Sequence, residues 1–249
     1  MEKKDLIIII QARMNSKRLP GKVLKKINKK TVLENIIFRL KNLNYTIVVA
    51  TTNNLKDKKI IDLCKKQKIK FFKGNEKDVL SRFYCCASQL KAKSIIRITA
   101  DCPLIDYKII KKLIYQYKKY NYDHIGLATG AGVKDINCNK FPDGLDAECF
   151  NFKSLENAHY FAKNKFDREH VTPYIWKNKK KFKVGYLESA KDYSNLRLTL
   201  DNLEDLRLIR IIYKKIKRKM FFLDDVVKLF KEKPKIFNLN KHYIGNEKY

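Results

Sequence analysis

The chain has 249 residues, is 45% hydrophobic, and carries 56 Lys+Arg against 26 Asp+Glu for a formal net charge of +30. That length accommodates one sizeable α/β domain and excludes two full domains joined by a generous linker. The charge admits nucleic acid, an anionic membrane or a nucleoside triphosphate as partner. The abundance of Lys, Ile and Asn together also fits coding bias and a solvated surface, so the few arginines are more informative than the many lysines.

The charged start Met1–Asp5 leads into only five apolar residues, Leu6–Ile10, which predicts a buried first strand and not the apolar core of a signal peptide. No stretch approaches the roughly 18 apolar residues of a membrane span. The cysteines (64, 85, 86, 102, 138 and 149) form no CxxC pair, so they are expected to be reduced core residues of a cytoplasmic protein. Thr31-Val32-Leu33-Glu34 is a capping box that opens a helix with Leu33, Ile36, Ile37 and Leu40 on one face. A second strand over Thr46–Ala50 precedes a helix carrying Ile60, Ile61 and Cys64, and Ile69–Phe72 is a short strand. Val79, Leu80, Phe83, Ala87 and Leu90 mark the next helix, Ser94–Thr99 a buried strand, and Asp106–Lys118 a helix with Ile109, Ile110, Leu113 and Tyr117 inward. This alternation is the βαβ signature of a mostly parallel sheet.

Beyond residue 122 the pattern changes. Strands are expected over Asp123–Ala128 and Leu145–Phe150, separated by a Gly/Asn/Lys-rich loop from Thr129 to Gly144. Helices near 153–164 and 167–178, strands at 182–188 and 196–200, and helices at about 202–218 and 223–232 follow, before Pro234 and a polar tail. Residues 1–249 are therefore expected to form a single domain, with an excursion at about 129–190.

The strongest local signal follows the first strand. Gln11-Ala12-Arg13-Met14-Asn15-Ser16-Lys17-Arg18-Leu19-Pro20-Gly21-Lys22 places Arg13, Arg18 and Lys22 at the carboxyl end of a strand, where α/β sheets bind ligands. Arginine forks and a lysine point charge suit several phosphate oxygens at once, although a solvated basic turn has the same composition. The spacing is neither that of a Walker A loop nor G-x-G-x-x-G. Asp101 and Asp201 each follow an apolar run, as turn or helix-capping aspartates do.

The stretch Ile9-Ile10-Gln11-Ala12-Arg13-Met14-Asn15-Ser16-Lys17-Arg18-Leu19-Pro20-Gly21-Lys22-Val23-Leu24 resembles the opening motif of the cytidylyltransferases that include acylneuraminate and CMP-Kdo synthetases. It is most similar to their SpsF-like spore-coat-polysaccharide branch. Arg97–Asp106, Gly144–Glu148, Arg168–Tyr174 and Leu196–Asp201 resemble the later motifs in collinear order. The resemblance implies an α/β, Rossmann-like GT-A-type nucleotidyltransferase fold with a mostly parallel central sheet flanked by helices. It also implies Mg²⁺-dependent transfer of CMP from CTP to a small sugar-acid or phosphorylated acceptor, with release of pyrophosphate. Gln11, Ala12, Arg13, Ser16, Arg18, Lys22, Arg82, Thr99 and Ala100 then fall to the nucleotide, and Asp101 and Asp201 to the metal. Arg13, Lys22, Asp101 and Asp201 become the catalytic set, and Asp146, Glu148, Arg168 and His170 the acceptor side. Relatives are commonly homodimers, with the 129–190 excursion available for acceptor binding or dimerisation. Gln11 and Met14-Asn15 stand where the sialate enzymes carry Pro and a Gly pair, which points away from nine-carbon acceptors.

Taken without the resemblance, several of these residues have plainer readings. Arg82 falls on the exposed face of a helix, Asp146 and Glu148 on one face of a strand, and Arg168-Glu169-His170 at a salt-bridged helix start. His124, His159 and His242 are expected to be surface or satisfied core residues, and the 28 Tyr and Phe to be core and not a base-stacking platform. A GT-A glycosyltransferase is an alternative, but Asp143-Gly144-Leu145-Asp146 lacks the D-x-D spacing of those enzymes. A nucleic-acid-binding protein is another, and the chain has no RRM, KH, zinc-finger or helix-turn-helix signature, so no specific nucleic acid is expected.

Overall fold

Side chains alternate across a strand, so a continuous apolar run suits a strand covered on both faces. The computed structural model describes residues 5–129 and 137–245. In it, β1 (Leu6–Gln11) sends Leu6, Ile8 and Ile10 into one apolar cluster and Ile7 and Ile9 into another on the opposite face. The other strands of its sheet are β2 (Thr46–Thr52), β3 (Lys70–Gly74), β4 (Ser94–Thr99), β5 (His124–Leu127), β6 (Ala147–Asn151) and β7 (Val184–Leu187). Their order is β3-β2-β1-β4-β6-β5-β7, with β6 antiparallel to both neighbours and every other pairing parallel. The chain leaves β1 towards β2 on one side and returns to β4 on the other. The loops at the carboxyl ends of β1 and β4 therefore diverge around a crevice.

The helices are α1 (Val32–Leu40), α2 (Lys58–Lys66), α3 (Val79–Gln89), α4 (Tyr107–Lys119), α5 (Phe152–Phe161), α6 (Lys165–His170), α7 (Pro173–Lys177), α8 (Leu203–Ile216) and α9 (Leu223–Glu232). α1, α2, α4, α8 and α9 fill the first cluster, whereas α3, α5 and α7 fill the second, with α6 packed on α3. The capping box at α1 is formed as expected: the Glu34 amide donates to Thr31 Oγ1 at 3.2 Å and the Thr31 amide to Glu34 Oε2 at 2.7 Å. Two orphan amides at the helix start are thereby satisfied.

Several expectations are corrected. The helix expected over 167–178 is two short helices broken at Val171, whose φ of 73° and ψ of −56° no helix accommodates. The run 196–200 is not a strand. It is an extended strap whose backbone bridges two loops: the Leu198 amide donates to the Asp143 carbonyl at 2.7 Å and the Leu200 amide to that of Asp101 at 2.8 Å. The segment after Pro234 is not merely a polar tail, since Pro234–Leu239 forms a 3₁₀ turn and both Phe237 and Asn240 are buried. Cys64, Cys86, Cys102 and Cys149 are buried, but Cys85 is exposed and Cys138 half-exposed. Tyr115, Tyr160 and Phe161 are exposed, so the aromatic residues are not all core. Of the loop expected between Thr129 and Gly144, residues 130–136 lie outside the described residues.

The strap sits directly against Gly144, which adopts φ 96°, and a Cβ there would overlap the backbone of Leu198 and Thr199. Gly144→Ala is therefore expected to cost about 2–3 kcal/mol, as overpacking against an immovable backbone does. In a chain of this size, thermal denaturation should register that as a fall in Tm of roughly 4–12 °C. An unchanged Tm would show that the strap yields.

Candidate active site

The groups at the β1 end of the crevice are delivered by strand ends and by loops held to them. After β1 the loop is pinned at its start, where the Met14 amide donates to Asp57 Oδ1 at 2.7 Å. Asp57 is itself buried and fixed by Thr51 Oγ1, the Thr52 amide and Thr52 Oγ1. The loop closes where the Gly21 amide donates to the Met14 carbonyl at 3.0 Å, and Gly21 lies in the left-handed region at φ 66°. That turn returns the chain over the sheet and carries Lys22 inward.

Lys22 Nζ lies 2.8 Å from both Asp101 Oδ2 and Asp201 Oδ1. Asp101 stands just past β4 and Asp201 at the end of the strap, so residues 79 and 179 positions from the lysine meet at one point. Arg18 reaches Asp201 Oδ2 at 2.8 Å from the solvent side. Arg197 reaches the same oxygen at 3.1 Å from within, and also holds Asp143 at 2.8 Å and Asp205 at 3.1 Å. Burial alone would raise the Asp101 pKa, but the Lys22 ammonium overrides it and holds the carboxyl down at about 2. Burial likewise opposes the charge on Lys22, and the two aspartates more than compensate and raise its pKa. Buried Cys102 lies beside this group, its thiol 3.7 Å from Asp101 Oδ1 and 3.8 Å from Asp146 Oδ2, and burial raises its pKa well above the usual thiol range. Among the described residues no three His, Cys, Asp or Glu side chains gather as a metal-ligand set.

The crevice is a cleft of about 990 Å³. Of the residues singled out from the sequence, it is lined by Gln11, Arg13, Ser16, Arg18, Lys22, Thr99, Ala100, Asp101, Asp146, Glu148, His170 and Asp201. Ala12 does not line it; it is buried, and its amide donates to the Ala50 carbonyl at 3.2 Å. Arg82 does not line it either, and is no exposed helix residue. Its side chain is buried, with the stem packed against Gly74; the guanidinium donates to the Asn75 carbonyl at 2.8 Å and leaves Nε and Nη2 without a hydrogen-bond partner. Burial lowers its pKa to about 10. Arg168 also stays outside the cleft. Its fork grips Asp78 Oδ2 at 2.8 and 2.7 Å and its Nη1 donates to the carbonyls of His159 and Ala162, which fastens α6 to the start of α3.

At the far end of the cleft Glu148 accepts from Arg97 Nη1 at 2.5 Å, Thr172 Oγ1 at 2.6 Å and His124 Nε2 at 3.1 Å. His124 is therefore a cleft residue, where the sequence suggested only a surface or satisfied core histidine. Arg97 offered a visible signal, as an arginine in an otherwise apolar strand, and so did Thr172 in its motif; His124 offered none. Register explains the cluster: Arg97 pairs with Glu148, Glu148 with Gly126, and Gly126 with Tyr186, a row crossing four strands on one face. Val171 holds its strained φ between His170 and Thr172, and both neighbours line the cleft. Burial raises the Glu148 pKa, Arg97 and His124 lower it more, and the carboxyl settles at about 2.

The family model described as cytidylyltransferase matches residues 7–242. The chain is 37% identical over 241 residues to an uncharacterised protein of Methanocaldococcus jannaschii, covering 95% of each. It is 30% identical over 217 residues to the 3-deoxy-manno-octulosonate cytidylyltransferase of Fusobacterium nucleatum, covering 82% of each. The spore coat polysaccharide biosynthesis protein SpsF of Bacillus subtilis is 29% identical over 222 residues, with 85% of this chain and 87% of that protein covered. Among solved structures, a cytidylyltransferase from Leptospira borgpetersenii superposes with a TM-score of 0.85 at 29% identity, covering 98% of this chain and 99% of the other.

The Glu148 cluster generates a pH prediction. Its folded pKa of about 2 lies below the ordinary 4.5, so its contribution to stability is complete above the ordinary value and is lost as pH falls from there through the folded value. Acid titrations of unfolding should show that loss, and Glu148→Gln should make the acid limb shallower. At neutral pH the same substitution strands Arg97 and should destabilise by about 3 kcal/mol. Coincident acid limbs in the two proteins would show that Glu148 is not held ionised.

Proposed function

The chain belongs to the cytidylyltransferase family, and on that premise we propose that it transfers CMP from CTP to a small sugar-acid or phosphorylated acceptor, with release of pyrophosphate, in the making of a surface polysaccharide. The observation that carries this reading is the opposition of a basic loop to two carboxylates. Lys22 is ion-paired to both Asp101 and Asp201, Arg18 to Asp201, and Arg13 lines the same cleft, where the loop after β1 meets the end of β4 and the strap.

A triphosphate has oxygens enough to engage all three basic side chains, and arginine forks fix its orientation while a lysine follows its charge. The acceptor oxygen then forms a bond to the α-phosphorus, the bond from that phosphorus to the bridging oxygen breaks, and pyrophosphate departs. The acceptor proton passes to solvent. Positioning and charge neutralisation carry most of such a transfer. The acceptor would lie towards Glu148, His170 and Thr172, whose cluster is already charge-balanced by Arg97.

Mg²⁺ fits the residues present. Asp101 and Asp201 turn one oxygen each towards a single cation-sized position, and a magnesium ion uses one or two protein carboxylates together with phosphate oxygens and water. Bound there, it would supply Lewis-acid neutralisation of the phosphate charge. Relatives named for polysaccharide and 3-deoxy-manno-octulosonate chemistry support the class of acceptor. No helix among the described residues is long and apolar enough to cross a membrane.

Three measurements test the reading. Pyrophosphate release should be screened with the four NTPs against sugar acids and sugar phosphates in Mg²⁺, and CTP should stand apart. CTP at about 100-fold above its Kd should stabilise the fold by about 2.7 kcal/mol, seen as a rise in Tm. Equal shifts with all four nucleotides would remove the base preference, and no shift would remove the nucleotide. Asp101→Asn and Asp201→Asn should each lower kcat at least about 100-fold, roughly 2.7 kcal/mol of barrier. The double variant should be little worse than the poorer single, because the two act as one unit. Near-normal turnover in both single variants would place the chemistry elsewhere.

A further inference from the structure

We propose that Lys22 is a resident stand-in for the divalent cation: it closes the Asp101–Asp201 position in the free protein, so that the metal enters only together with the triphosphate. The inference rests on the nucleotidyl-transfer reading and adds to it an order of events.

The geometry carries it. Lys22 Nζ is 2.8 Å from one oxygen of each aspartate, and the lysine side chain is only 13% exposed. A magnesium ion sharing those oxygens at its usual distance of about 2.0–2.1 Å would overlap the ammonium group. Two cations so close, in a site shielded from water, repel strongly. Occupancy is therefore exclusive: either the lysine holds the pair or the metal does.

The two cations that meet Asp201 from the protein side are held very differently. Arg197 is 2% exposed and is also bonded to Asp143 and Asp205, so it cannot leave. Lys22 hangs from a flexible four-carbon stem at the edge of the phosphate-facing loop. The loop backbone is anchored by the Gly21 and Met14 amides, so the stem can swing while the loop stays. Several phosphate oxygens arriving above it offer the ammonium a denser negative charge than two carboxylates do. When Lys22 moves to them, Arg197 still fixes Asp201, and the Leu200 amide still fixes the backbone of Asp101 at 2.8 Å. The vacated pair thus keeps its arrangement for the metal that accompanies the nucleotide.

Mn²⁺ titrated into the full chain, with free Mn²⁺ read by electron paramagnetic resonance, tests this without turnover. Wild-type protein lacking nucleotide should show no one-to-one site, whereas Lys22→Met should bind one Mn²⁺ at least about tenfold more tightly. Adding Asp101→Asn to that variant should abolish the gain. CTP added to the wild type should recruit a Mn²⁺ that depends on Asp101. Lys22→Gln serves as a second variant should Lys22→Met lower Tm below the assay temperature. Tight binding by the nucleotide-free wild type, or no gain in either Lys22 variant, overturns the proposal while an Asp101-dependent Mn²⁺ with CTP leaves the functional reading standing. If CTP recruits no such Mn²⁺ to the wild type, the functional reading fails and the proposal falls with it.

Discussion

The β1 end of the crevice depends on one alternation of charge: Asp101, Lys22, Asp201, Arg197 and Asp205 in an unbroken chain of ion pairs. Its members come from the loop after β1, the end of β4, the strap before α8 and the first turn of α8 itself. Unpaired, each carboxylate would pay a desolvation cost that no apolar packing offsets. Paired, they tie together segments as far apart as residues 22 and 201, and make the crevice a consequence of the fold. Asp205 shows the economy of the arrangement. It caps α8 by accepting from the Asp201 and Asn202 amides at 2.9 and 2.8 Å, and also accepts from Arg197. The same carboxylate that starts the helix thereby orients the arginine under the site.

The sheet was legible in the sequence because its signals are local. A five-residue apolar run, a capping box and 3- to 4-residue spacing each reflect a backbone period that no distant contact needs to complete. The loop after β1 and the two aspartates were legible for a different reason, since their motifs hold in collinear order. What escaped was set by register. His124 gains its place only because β5 lies beside β6, which puts it within reach of Glu148; nothing within ten residues of it points there. Arg168 failed in the opposite sense. Its motif suggested the acceptor, but Asp78, 90 positions away, captures its fork. The strap at 196–200 looked like a strand because it is apolar and extended, yet its amides are spent on two loops and no ladder can form.

The two ends of the cleft solve the problem of buried charge in contrasting ways. Around Glu148 the charges cancel internally: one guanidinium, one hydroxyl and one imidazole satisfy a single carboxylate, and the cluster presents little net charge to a ligand. At the β1 end Arg13, Lys17, Arg18 and Lys22 line the cleft together with Asp101, Asp143, Asp146 and Asp201. Arg18 pairs with the largely buried Asp201 yet itself remains 55% exposed, and Arg13 lines the cleft beside it. A half-exposed arginine at one end and a closed charge cluster at the other suit a cleft that receives a polyanion and a smaller, more weakly charged second substrate.

The C-terminal segment extends the same reasoning beyond the motifs. Asn240 is buried and its amide group donates to the Arg197 carbonyl at 3.0 Å and to Asp205 Oδ1 at 2.8 Å. The Tyr243 ring lies over the Arg197 guanidinium, 5.8 Å from its centre, and its hydroxyl donates to Glu204. A guanidinium with three carboxylate partners and an aromatic lid has no rotamer freedom left to lose when a ligand arrives, so it orders the site without charging its entropy to binding. The position of Asp201 is therefore decided partly by residues some forty positions downstream. Their sequence resembles a polar tail, because hydrogen bonds to a buried ion pair leave no periodic trace.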